Sequence, residues 1–343
     1  MRTGVLLLIA LFPCSAPGFF LAGCSKEVDR TSEFEVPRLR GPSWQARAIE
    51  AYVVVRKRLS PRSGELDVAR ERANVESMAA MFKPLGPIQS VPIAAGGVPA
   101  EWIVPQGLQS ARTILFLHGG SFNSGSIVSH RTLAANVALA ARSRVLLIDY
   151  RLAPEHPFPA GLEDAAACYE WLLSQGGEPG QIVVAGDSAG GNLTISLLVL
   201  LRDRSRPLPA AAVCLSPNPD LTYSSESWVF NAEKDVMLEA RKERQAVDIY
   251  LGGTDPRTPL ASPFFADLHG LPPLLIQVGS REVLLSDAER FAEKARQAGV
   301  EVTLEVWPGM QHEWQFTANL VPEGREAITR IGHFAEAAFG KSH

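Results

Sequence analysis

Residues 181–192 read QIVVAGDSAGGN, and the class of the whole chain turns on them. The β-branched apolar run at 182–185 has the length of a short buried strand. From Gly190 onward, Leu193, Ile195, Leu197, Leu198 and Leu201 sustain a helix. Between them the chain must turn within about two residues. Gly186, Ser188 and Gly190 form G-x-S-x-G at that junction. There glycines relieve a turn too tight for side chains, and the strained serine hydroxyl is held out above the sheet. A serine near a helix start alone reads as a cap. With a strand before it and a helix after it, Ser188 reads as a nucleophile.

Outward from this turn, short apolar runs recur at 98–104, 113–118, 145–149, 211–215, 274–278 and 302–306, with helical segments between most of them. This alternation predicts an α/β fold with a mostly parallel sheet covered by helices on both faces, and its chemistry at the carboxyl ends of the strands. Ahead of the first run, two helical patterns near 44–59 and 65–82 flank SPRSG and form a candidate cap over residues 44–85.

Acyl transfer by a serine needs a base, an acid to orient it and donors for the developing oxyanion. In this architecture the histidine follows the serine, which leaves His269, His312, His333 and His343. His312 lies in the Pro- and Gly-bearing loop after the strand ending near Trp307, where it can reach across the sheet top. His269 sits in a connection, His333 on a terminal helix and His343 at the tail. For the acid, Glu282 follows the strand at 274–278, and Asp287 stays open as an alternative. Ser286 with Glu289 resembles a capping box, and the helix dipole would account for Asp287 as a first-turn residue. The amide of Ala189 is one expected oxyanion donor, and the loop LHGGSF at 117–122 supplies the others, with His118 as a hydrogen-bonding strut rather than a base.

HGGSF (118–122), DYRLAPEHPFP (149–159), GDSAGGN (186–192), SREVLLSD (280–287) and PGMQH (308–312), in this order, resemble the hormone-sensitive-lipase-like (bacterial family IV) esterases of the α/β-hydrolase fold. The resemblance spans residue 44 to the C-terminus. It implies Ser188 as nucleophile, His312 as base, the amides of Gly120, Ser121 and Ala189 as oxyanion hole, and a cap completed by an insert at about 219–251. Two positions depart from the commonest pattern. Ser121 replaces the third glycine of HGGG, and Glu282 stands where an aspartate is usual. DYRLAPEHPFP reads as structural, with Arg151 and Glu155 expected to satisfy each other locally.

Residues 1–24 combine Arg2 with an apolar run from Gly4 to Phe12, broken by Pro13 and Pro17, which reads as a targeting segment too short to span a membrane comfortably. Its end, Leu-Ala-Gly-Cys24, resembles the lipobox of bacterial lipoproteins, so lipidation of Cys24 and an exported, membrane-anchored protein in the periplasm or at the cell surface are expected. Simple secretion and an uncleaved anchor are the alternatives. Residues 25–43 read as a tether. The 33 basic and 37 acidic residues leave no electrostatic footprint for nucleic acid. The four cysteines, Cys14, Cys24, Cys168 and Cys214, have neither C-x-x-C nor zinc spacing. Together these readings predict a serine carboxylic ester hydrolase acting on short-acyl esters or lactones of small molecules, with no cofactor or metal. An amidase or peptidase on the same fold, or a non-catalytic ligand-binding surface lipoprotein, are the rival readings.

Overall fold

In the computed structural model, residues 41–59, 65–79 and 81–340 are described. The targeting segment with Cys24, most of the tether and His343 lie outside them. Five consecutive buried residues in strand β3 (Thr113–Leu117) set the plan. A strand with no polar face must be covered on both sides, and its side chains alternate between two cores. Ile114 and Phe116 pack with helices α3 (Ile127–Ala140) and α9 (Pro322–Ala338). Leu115 and Leu117 pack toward α4 (Ala160–Ser174) and α5 (Ala189–Asp203).

The same alternation runs through β4 (Arg144–Ile148) and β5 (Ile182–Asp187). In β6 (Ala211–Leu215), Ala212 and Cys214 join β7 (Leu274–Gly279) in a third core under α8 (Leu285–Gln297). With β1 (Ile88–Ala95), β2 (Val98–Pro105) and β8 (Val302–Trp307), the sheet runs β1-β2-β4-β3-β5-β6-β7-β8. β1 and β2 pair antiparallel with each other and β2 antiparallel with β4, while the pairs from β4 to β8 are parallel. The sequence reading missed β1, because IQSVPIAA is largely exposed and carries Pro92 at the sheet edge, where a missing ladder donor is tolerated.

The cap is made of α1 (Trp44–Leu59), α2 (Val68–Ala79), a short α6 (Ser227–Phe230) and α7 (Ala240–Leu251). Two local expectations need correction. Arg151 pairs with Asp164 of α4 at 2.8 Å, whereas Glu155 receives a bidentate pair from Arg72 of α2 at 2.9 and 2.7 Å. Pro154 keeps the segment out of a helix, so residues four apart share no face. Ser286 is also no N-cap: α8 starts at Leu285, and the Ser286 amide donates to Ser227 Oγ at 3.0 Å, so the cap comes from a distant segment.

Candidate active site

Ser188 stands between β5 and α5 with φ 52° and ψ −117°, a left-handed conformation strained for a side-chain-bearing residue. Its amide donates to Leu215 O at 2.8 Å, tying the turn to β6. At Gly190 a Cβ would overlap the Leu117 carbonyl of β3, so the turn can pass there only without a side chain. From the loop after β8 comes His312, whose Nε2 lies 3.0 Å from Ser188 Oγ. Its Nδ1 lies 2.8 Å from Oε2 of Glu282, which follows β7. All three side chains are buried.

The other oxygen of Glu282 is already engaged. Ser216 Oγ donates to Oε1 at 2.8 Å, and the Gly279 amide donates to it as well. Oε2 is thereby left facing the imidazole, which fixes Nδ1 as the protonated nitrogen and Nε2 as the acceptor for a serine hydroxyl. Asp287 lies elsewhere. It is buried in the first turn of α8, accepts from Trp228 Nε1 at 2.8 Å, and burial pushes its carboxyl up to about 7. His269 is exposed on Asp267, and His333 is exposed on α9.

Among the described residues, the amides of Gly120 and Ser121 donate to no protein acceptor, and the Ala189 amide opens α5, where a helix supplies none. The neighbouring Gly119 amide is different: it donates to Asp187 Oδ2 at 3.0 Å. His118 is fully buried and stacked on Tyr150, and burial with the nearby His130 pushes its imidazole down to about 3. A ring so held stays neutral and acts as a strut, as read from the sequence. Ser121 turns its hydroxyl to the cap, donating to Glu243 Oε2 on α7 at 2.8 Å.

Above the site a cavity of about 780 Å³ is lined by Val53, Met78 and Leu238 from the cap and by Phe82 and Phe316, with Ser188 and His312 at its floor. Buried Cys168 and Cys214 are pushed up to about 12 by desolvation and play no part here. Among the described residues no cluster of three or more His, Cys, Asp or Glu is placed to hold a metal ion, and no helix is long and apolar enough to cross a membrane.

The α/β hydrolase fold family model matches residues 114–316. An acetyl-hydrolase of Streptomyces hygroscopicus is 46% identical over 283 residues, 82% of this chain and 93% of that protein. The chain belongs to the α/β-hydrolase family. An esterase of Acinetobacter venetianus is 37% identical to this hydrolase, over 77% of this chain and 87% of its own length. The crystal structure of an esterase from the bacterial hormone-sensitive lipase family superposes with a TM-score of 0.83 at 44% identity, covering 87% of this hydrolase and 99% of the other chain. Four residues of the hydrolase's site escaped the sequence reading: His130, Asp187, Glu243 and Glu313. Asp187 and Glu313 directly precede Ser188 and follow His312, which was the available signal; Glu243 and His130 sit on helices with no motif of their own.

Proposed function

We propose that this chain is a serine carboxylic ester hydrolase that works through an acyl-enzyme on short-acyl esters or lactones of small molecules. One observation carries the reading: an unbroken line from Glu282 to His312 at 2.8 Å and from His312 to Ser188 at 3.0 Å, on the floor of a largely apolar cavity. His312 Nε2 takes the Ser188 proton as Oγ bonds to the ester carbonyl carbon, and the carbonyl electrons move onto the oxygen. The amides of Gly120, Ser121 and Ala189 hold that oxyanion. Collapse expels the alcohol, which takes the proton from His312. Water, deprotonated by the same imidazole, then releases the acid and restores Ser188.

The 46% identical relative is an acetyl-hydrolase, which supports acetyl or similar small acyl groups. Export with lipidation at Cys24 is part of the same proposal, checked by the mass of the mature N-terminus. Ser188→Ala is expected to abolish hydrolysis of p-nitrophenyl acetate and labelling by a fluorophosphonate while the melting temperature holds. Retained hydrolysis would reject the nucleophile.

A further inference from the structure

Asp187 and Glu313 flank the triad in sequence, directly before Ser188 and after His312, and both approach Gly119. Asp187 is fully buried. Its Oδ2 accepts from the Gly119 amide at 3.0 Å and lies 3.1 Å from His130 Nε2, but its Oδ1 has no hydrogen-bond partner. An orphaned carboxylate oxygen in the interior is costly and calls for a donor. Glu313 approaches the same carboxylate: a Cβ on Gly119 would overlap Asp187 Oδ2 and come within 2.8 Å of Glu313 Oε1. Glu313 is held in a left-handed conformation, φ 57° and ψ 36°, and its Oε1 reaches to 3.5 Å from His312 Nε2.

Two neighbouring carboxylates, one fully buried and the other only slightly exposed at the cavity floor, do not both ionise. We propose that Asp187 and Glu313 share one proton, carried on Glu313 and donated to Asp187, and that this pairing keeps Glu313 uncharged beside His312 so that the imidazole is free to act as base. Glu313 is thus a positioning residue that acts through His312, and the proposal rests on the assignment of His312 as the base.

The two carboxyls are unequal. Burial raises both, but the His130 ring and hydrogen bonding hold Asp187 below its ordinary value, while burial and the charge of Asp187 push Glu313 well above its own. Glu313 faces His312, Asp187 and Glu282, and beyond them His130, His118 and the Tyr150 phenol. The stakes are set by His312. Burial lowers its basicity, yet charged Glu313 and Glu282 together would lift it to about 10. At pH 7 such a histidine is free in about one molecule in a thousand. A neutral Glu313 removes the larger of those two charges.

The test is the pH dependence of kcat/KM for p-nitrophenyl acetate in the full chain. Glu313→Gln imitates the protonated acid and should leave the acid limb within about half a pH unit of wild type. Asp187→Asn should move the limb at least about one unit upward, because the asparagine NH2 now donates to Glu313 and favours its carboxylate. The double variant should return the limb to its wild-type position, a rescue that a merely structural role does not produce. A downward move of a unit or more in Glu313→Gln, or an unmoved limb in folded Asp187→Asn, would overturn the proposal. Should Asp187→Asn not fold, infrared difference spectra decide: Glu313→Gln must lose a protonated-carboxyl band at neutral pH, and its absence in wild type refutes the pair. Ser188→Ala, run in parallel, reports separately on the nucleophile.

Discussion

Replacing Glu282 by glutamine tests the site at its most constrained joint. The glutamate offers four acceptor sites and uses three: Oε1 takes Ser216 Oγ and the Gly279 amide, and Oε2 takes His312 Nδ1. A glutamine keeps the volume. Its carbonyl oxygen must stay with Gly279 and Ser216, since an NH2 there would face a backbone N–H. The NH2 therefore points at Nδ1 and turns it into an acceptor, which forces the proton onto Nε2, where the Ser188 hydroxyl has no base left. Loss of the correct tautomer in a serine triad costs about 10⁴ in kcat, equivalent to about 5.5 kcal/mol of barrier. The melting temperature should change little, because every bond is retained, the one to His312 with donor and acceptor exchanged. The assay is steady-state hydrolysis of p-nitrophenyl acetate, with Asp287→Asn beside it. A loss below about tenfold in Glu282→Gln, or an equal loss in Asp287→Asn, would refute the assignment of Glu282 as the orienting acid.

Two further outcomes follow from the surroundings. Asp287 is raised from 3.8 to about 7 in the fold, so between those values the folded state binds more protons than the unfolded one and stability falls as pH rises, then levels off above 7. Asp287→Asn keeps an acceptor for Trp228 and should therefore stabilise the protein at pH 8, with a ceiling of about 4 kcal/mol, and not at pH 4, read from denaturant midpoints at both values. Arg72 of α2 donates to the carbonyls of Asn123 at 2.7 Å and Ala153 at 3.0 Å besides pairing with Glu155. The exposed ion pair contributes little, so Glu155→Gln should leave KM for p-nitrophenyl acetate unchanged, whereas Arg72→Met, which unties the cap from the oxyanion loop, should raise it several-fold.

The parts of this architecture that could be read ahead are those whose cause is local. Runs buried on both faces, such as 114–117 and 182–185, announce themselves because every position carries an apolar side chain. The elbow could be read because a strand, a glycine-flanked serine and a helix must follow one another within a few residues. Glu282 could be ranked above Asp287 because it has no helical duty. What stayed hidden is set by partners distant in sequence. Arg151 chose Asp164, Glu155 chose Arg72, and the start of α8 is capped by Ser227, some sixty positions earlier. Ser121, which stands where a third glycine is usual, bonds to Glu243 on α7, a helix whose placement no motif specifies.

The insert that carries α6 and α7 also holds the loop bearing Glu282. Asn231 Nδ2 donates to the carbonyls of Glu282 at 2.8 Å and Ser280 at 3.1 Å, and Asp235 Oδ2 accepts from the Val283 amide at 3.0 Å. Ser227 Oγ donates to Val283 O, and Trp228 is fastened to Asp287. The same Asp235 turns the chain toward cavity-lining Met237 and Leu238 by accepting both of their amides. One carboxylate therefore supports both the wall of the substrate cavity and the loop that orients His312. The helices α1 and α2 are attached differently, to the oxyanion loop through Arg72 and to the loop after β7 through Glu50 and Arg281 at 2.8 Å. Changes on α2 at Arg72 reach the cavity through the oxyanion loop, whereas changes at Glu50 of α1 and between 227 and 238 reach the loop that bears Glu282 as well. Cavity shape is thus separable from the Glu282–His312 pair at α2 and bound to it at α1 and the insert.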